Sequence, residues 1–265
     1  MLSEENTRIL AWAVLALLIA ALAAWVAHIY RHHTFKRGKF LVYGFGWIMT
    51  RVVWRAQVEG RIPFARGQGA VIVCNHIGPI DPAFIQLACD RPVHWMVARE
   101  YVESWHFGGV LRTLEVIPVG RRGVDTAATR LAVRYAQQGD LVGLFPEGRI
   151  NETRERLLLP GRPGAALIAL KARVPVLPCY ISDSPNDGTS WGFLFMMART
   201  RIKIGQPIDL SPYYEREGGK EVLEELTLRF LSEIARLAGD ENFQPELAGR
   251  KWKYGAEDAE AEVSQ

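Results

Sequence analysis

Ala70-Val71-Ile72-Val73-Cys74-Asn75-His76-Ile77-Gly78-Pro79-Ile80-Asp81 is the stretch on which the reading of this chain turns. An unbroken apolar run of this length suits a short strand buried on both faces. It ends in a loop that carries a histidine, and a carboxylate follows five residues later. Asp81-Pro82 then suits a helix start, with Asp at the N-cap and Pro at the first helical position. An imidazole held by a carboxylate can take a proton from a hydroxyl at neutral pH. The same arrangement recurs where Leu141-Val142-Gly143-Leu144 runs into Phe145-Pro146-Glu147-Gly148-Arg149. Two polar clusters at strand ends point to one active site at one edge of a sheet.

Outward from these stretches, strands and helices alternate. Strands are expected at 56–60, 71–74, 93–98, 114–119, 141–145, 176–181 and 201–204. Helices are expected from Asp81 to about Cys89, from Asp125 to near Gly139, over 162–172, and over 221–237. The last of these carries Leu223, Leu226, Phe230 and Ile234 at helical spacing. The fold class is therefore α/β, a mostly parallel or mixed sheet flanked by helices, with an N-terminal transmembrane or interfacial helical segment. The expected division is an anchor and interfacial helix over 1–54, an α/β domain over 55–245, and a polar, disordered tail over 246–265.

The N-terminal segment Ile9 to Ile29 holds no Asp, Glu, Lys or Arg. As a helix its 21 residues would span about 31 Å, close to the hydrocarbon thickness of a bilayer. Trp12 and Trp25 sit near its ends, where indoles favour the interface. Glu4, Glu5 and Arg8 precede it, and Arg31, Lys36, Arg37 and Lys39 follow it. The positive-inside rule then puts the C-terminal flank and the domain in the cytoplasm, behind a single pass. A cleaved signal peptide would begin with a basic region, and this one is acidic on balance. Residues 40–54 form a shorter apolar segment that suits either a helix on the bilayer or one packed on the domain.

The chain has 265 residues, of which 49% are hydrophobic, enough for one substantial core and an appendage. A net charge of +3 is small for a nucleic-acid binder, and none is expected as a partner. Cys74, Cys89 and Cys179 sit in apolar segments without metal-ligand spacing, so they read as buried reduced thiols and no metal site is expected. No serine nucleophile on a Gly-x-Ser-x-Gly elbow is expected either. The alcohol that His76 would activate is then a substrate's own. Arg121 and Arg122 follow the strand at 116–119, and Arg149 follows Glu147. A guanidinium matches a phosphate bidentately, so these ends can form an anion site beside a base. The apolar run Trp191 to Met197 suits core burial, the preferred reading, or insertion at a membrane interface.

With these residues in hand, the chain resembles the glycerophospholipid acyltransferase family typified by 1-acylglycerol-3-phosphate acyltransferase. Asn75 to Asp81 resembles its N-H-x4-D block. Glu115-Val116-Ile117-Pro118-Val119-Gly120-Arg121 resembles G-x-I-x-x-x-R, with Glu115 where glycine is usual. Phe145 to Gly148 resembles F-P-E-G, and Val174-Pro175-Val176-Leu177-Pro178 resembles V-P-[VI]-x-P. Many members have arginine one place after Arg149, where this chain has Ile150. The resemblance implies transfer of a fatty acyl group from acyl-CoA or acyl-ACP to the hydroxyl of lysophosphatidic acid, giving phosphatidic acid. Another lysolipid, glycerol-3-phosphate or a lyso-aminolipid is the alternative acceptor. A membrane-bound acyl hydrolase or a non-catalytic lipid-binding protein is the alternative of another class. It further implies His76 as base and Asp81 as its orienting partner. Arg121, Glu147, Gly148, Arg149 and Asn75 would serve the acceptor, with no bound cofactor. The expected partners are the bilayer, the lysophospholipid and the acyl donor.

Overall fold

The computed structural model describes residues 3–32, 37–120, 125–153, 155–189, 191–216 and 219–249. Strands β1 (Gln57–Glu59), β2 (Ala70–Cys74), β3 (Val93–Ala98), β4 (Ile117–Val119), β5 (Leu141–Leu144), β6 (Val176–Ser182) and β7 (Arg201–Ile204) form one sheet. Its order is β1-β7-β6-β2-β5-β3-β4. The five strands from β6 to β4 are parallel. β7 runs antiparallel to β6 and parallel to β1.

β2 is buried along its whole length, as its apolar run requires. Its side chains alternate between two layers. Val71 and Val73 pack with α6 (Thr126–Gln137), α7 (Gly164–Ala172) and α8 (Lys220–Ala238). Ala70, Ile72 and Cys74 face the second layer, built on Trp54, Phe193 and the Phe84 and Ile85 of α3 (Asp81–Leu87). The three thiols are free, two of them fully buried.

The N-terminal helices are α1 (Glu4–His32) and α2 (Arg37–Ile48), the latter continued by a π-turn over Met49–Val53. α1 contains an 18-residue apolar stretch, Arg8–Trp25, of mean hydropathy 2.1 and with none of it buried. Such a helix suggests membrane association. α2 packs against α3 and against α5 (Gly108–Thr113).

Several elements differ from the sequence reading. The strand expected over 114–119 is only Ile117–Val119, because Glu115 adopts φ +55° in a turn after α5. That conformation is unusual for a side chain with a Cβ. The Glu115 carboxylate pairs with Lys39 of α2 at 2.6 Å, and its carbonyl accepts from His94 at 2.9 Å. α4 (Arg99–Glu103) and α5 were not expected. Nor is Glu246 the start of a loose tail: Gly161 donates to the carbonyl of Glu246, and Ala248 donates to that of Gly161. The tail expected to be disordered lies from 250 onward outside the described residues. Of the run 191–197 only Phe193 is buried, whereas Phe195 is 88% and Met197 74% exposed, so the reading as core fails there.

Candidate active site

β2 and β5 are neighbours, with Val73 opposite Leu144, so the loops that follow them leave the sheet side by side. β4 points the same way on the far side of β3. The sheet order thus brings the His76 and Glu147 loops together, with the C-terminal end of β4 on the same edge.

His76 stands two residues beyond β2. Its Nδ1 lies 2.9 Å from Asp81 Oδ2. The same Oδ2 accepts the backbone N–H groups of Ile77 at 2.8 Å and Gly78 at 2.9 Å. The expectation of Asp81 as an N-cap is corrected here. Asp81 is the first residue of α3, and its carboxylate turns back onto the His76 loop instead of capping the helix. A loop tied by three contacts to one fully buried carboxylate holds the imidazole in a fixed orientation. The carboxylate at Nδ1 selects the tautomer with its proton there, which leaves Nε2 free to accept another. The imidazole stacks on Phe145, ring centroids 3.8 Å apart and 7° from parallel, and Phe145 stacks in turn on Trp95. Gly143 makes room for this stack, since a Cβ there would come within 2.7 Å of the Trp95 ring.

Glu147 is fully buried. Its Oε1 accepts the His76 N–H and its Oε2 accepts the Leu159 N–H, each at 2.8 Å. Burial pushes its carboxyl up to about 8, against the pull of those two donors. Gly148 follows at φ +72°, in a turn closed by its N–H to the Phe145 carbonyl. A side chain at this φ would be strained, which accounts for the glycine. Arg149 is half-buried beside it. Asn151 N–H donates to the His76 carbonyl at 2.6 Å, so the second loop grips the first at two points.

Asn75 is buried, and its amide pairs with the backbone of Ile181 like a neighbouring peptide. It donates at 2.8 Å and accepts at 2.7 Å. It therefore ties the His76 loop to β6. With both ends of the amide engaged in this way, it does not face a ligand as expected. Arg121 and Arg122 lie outside the described residues. The chain enters that stretch at Gly120 and leaves it at Asp125. The Asp125 carboxylate accepts from Gly120 N–H at 2.9 Å and from Ala127 and Ala128 at the start of α6. The Ala128 and Gly120 bonds hold that carboxyl below its ordinary range.

The sequence reading missed Phe145 as the ring beneath the imidazole and Leu159 and Asn151 as partners. Phe145 was signalled by its place between a buried strand and a turn. The other two depend on contacts across loops and had no local signal. The pattern Gly-x-Ser-x-Gly does occur, at Gly188-Thr189-Ser190-Trp191-Gly192, contrary to the expectation that it is lacking. Its context is not that of a nucleophile elbow. β6 ends at Ser182, and a four-residue 3-10 turn, not a helix, begins at Gly192. Ser190 lies outside the described residues.

A family model described as Acyltransferase matches residues 55–182, which hold the loops after β2 and β5. Residues 55–182 thus form an Acyltransferase domain, and the chain is similar to the glycerophospholipid acyltransferases. A 1-acyl-sn-glycerol-3-phosphate acyltransferase of Bacillus subtilis is 26% identical over 146 residues, 55% of this chain and 69% of that protein. One of Borreliella burgdorferi is 25% identical over 131 residues, 49% of this chain and 52% of that protein. In fold, the chain is similar to the crystal structure of the 1-acyl-sn-glycerophosphate (LPA) acyltransferase of Thermotoga maritima. The TM-score is 0.55 at 21% identity, over 84% of this chain and 92% of that one. With an Acyltransferase domain and these relatives, the chain is an O-acyltransferase.

Proposed function

We propose that the protein transfers a fatty acyl group from acyl-CoA or acyl-ACP to the free hydroxyl of lysophosphatidic acid, forming phosphatidic acid. The observation that carries this reading is the Asp81–His76 pair, set in the loop that Glu147 grips, at the sheet edge that also presents Arg149. The similarity to two 1-acyl-sn-glycerol-3-phosphate acyltransferases supports the choice of acceptor.

In this reading Asp81 accepts the Nδ1 proton of His76, and Nε2 takes the proton of the acceptor hydroxyl. The hydroxyl oxygen attacks the thioester carbonyl. The C–O bond forms, the C–S bond breaks, and the departing thiolate recovers the proton from His76. No residue of the protein is acylated. Arg149 and Arg121 bind the acceptor phosphate as guanidinium forks. Gly148 lets the backbone of that loop approach the acceptor. Glu147 acts on the site through the loop it holds. α1 anchors the protein as a single pass, with the domain on the cytoplasmic side, so that the lysolipid arrives within the leaflet. Confining the search to the membrane plane raises the effective acceptor concentration.

The test is an assay of purified protein with acyl-CoA or acyl-ACP and a panel of lysolipids, following thiol release and lipid mass together. The reading expects phosphatidic acid in step with thiol, and preference for the phosphorylated acceptor. Thiol release that needs no acceptor would make the protein a hydrolase. Equal use of neutral lysolipids would remove the phosphate role of the arginines. Arg149, standing where many relatives have their arginine one place later, makes another charged lysolipid the second reading that this panel separates.

A further inference from the structure

The layer that contains α3 bears an apolar surface that the chemistry above does not use. Phe195 is 88% exposed and Trp105 is 86% exposed, at the tips of two separate turns. The turns are joined: Trp191 stacks on Phe107 with centroids 4.4 Å apart, and Trp54 Nε1 donates to the Met196 carbonyl at 3.1 Å. Trp54 directly follows the π-turn that ends α2, and α5 touches α2. Along α2 and the π-turn, Leu41, Phe45 and Val52 are exposed as well. Trp25 of α1 meets Trp47 of α2 at 5.2 Å. The exposed aromatic turns are thus continuous with the apolar helix pair. The margin where β1 meets β7 is basic, with Arg51, Arg55 and Arg199 exposed around the Trp54 to Thr200 junction.

We infer that the turns at 104–107 and 191–197 form a second bilayer contact, inserting Trp105 and Phe195 into the same leaflet that α1 enters. Contiguous exposed apolar surface of this kind marks an interaction site. Three observations select a lipid surface as the occupant. The patch continues the apolar faces of α1 and α2. Its indole and phenyl rings sit on exposed turns, a form that suits the headgroup boundary. The exposed arginines complement anionic headgroups. The contact gives the domain a fixed tilt on the membrane, which a lone helical anchor does not. This inference rests on the membrane-bound reading proposed above.

The test uses the full chain on vesicles of phosphatidylcholine and phosphatidylglycerol. Single-cysteine variants W105C, F195C and, on the opposite layer, K220C carry an environment-sensitive fluorophore, with labelled unsubstituted protein as the background. Brominated acyl chains are expected to quench the labels at 105 and 195 and to spare the one at 220. W105S/F195S is expected to raise KM for vesicle-borne lysolipid about tenfold. Its kcat, and its rate on a water-soluble short-chain acceptor, stay unchanged. Protein that floats with its vesicles while both labels remain open to aqueous iodide overturns this inference alone. Protein that does not float overturns the membrane-bound reading with it. Labels shielded without vesicles, with a doubled mass in solution, give the patch to a second copy and overturn the lipid assignment.

Discussion

The loop after β2 leaves its imidazole within reach of solvent, whereas the loop after β5 turns its carboxylate wholly inward. His76 and Glu147 each follow a buried parallel strand, and the two strands are neighbours. The Asp81 contact engages one ring nitrogen of His76 and leaves the other, Nε2, to the proposed proton transfer. Each oxygen of Glu147 is engaged by a backbone N–H. The difference teaches that one sheet edge divides its labour. In the proposed reaction one loop presents the reacting group, and the other fixes where that group stands. Substitution in the first should act on rate, and in the second mainly on stability.

The largest expected effect is that of His76→Ala. Initial rates should fall by roughly two to four powers of ten, the usual worth of a general base. Donor and acceptor binding, followed by equilibrium titration, should be little changed. Asp81→Asn should cost about a hundredfold in kcat, because an amide neither stabilises the protonated imidazole nor enforces its tautomer. Within the His76 loop Asn75 is the exception that acts on stability, since Asn75→Ala leaves the Ile181 N–H and carbonyl without the partners they have now. It should lower stability by about 2–4 kcal/mol, measured by denaturant unfolding, since each orphaned buried group costs about 1–3 kcal/mol.

The effect that is smallest per pH unit sharpens the comparison most. Glu147 loses its proton near 4.5 when unfolded and near 8 when folded. Between those values the folded state holds the extra proton, so unfolding releases it. Stability from this group is complete below 4.5 and declines as pH rises to about 8, by at most about 1.4 kcal/mol per pH unit. In Glu147→Gln that decline should vanish from the pH profile of the unfolding midpoint. An unaltered profile would place the buried carboxyl's titration elsewhere.

How much of this could be read without coordinates depends on the range of each contact. β2, β3, β5 and β6 announce themselves as apolar runs, and α8 by its periodic face. The helices between Arg99 and Thr113 do not, because each is only five or six residues long and has no repeating apolar face. Glu115 read as a strand residue because a glutamate by itself signals no positive φ; the glycine usual at that place in the resembled block was the signal. Its ion-pair partner Lys39 stands far back in the chain. The His76–Asp81 pair was legible because five residues separate its members. That Glu147 serves the His76 backbone follows only from β5 lying beside β2, and that Asn75 serves Ile181 follows only from β6 on the other side. A strand-end carboxylate advertises charge, but its direction is decided by which strand is its neighbour.

The central claim is that Asp81 acts on the reaction through His76, the two working as one unit. A double-mutant cycle on kcat tests it, comparing H76A, D81N and H76A/D81N under saturating donor and acceptor. The account predicts that the double variant is no slower than H76A by more than a few-fold, because an orienting carboxylate has nothing left to orient. Losses that multiply, leaving the double variant about a further hundredfold slower, would contradict it.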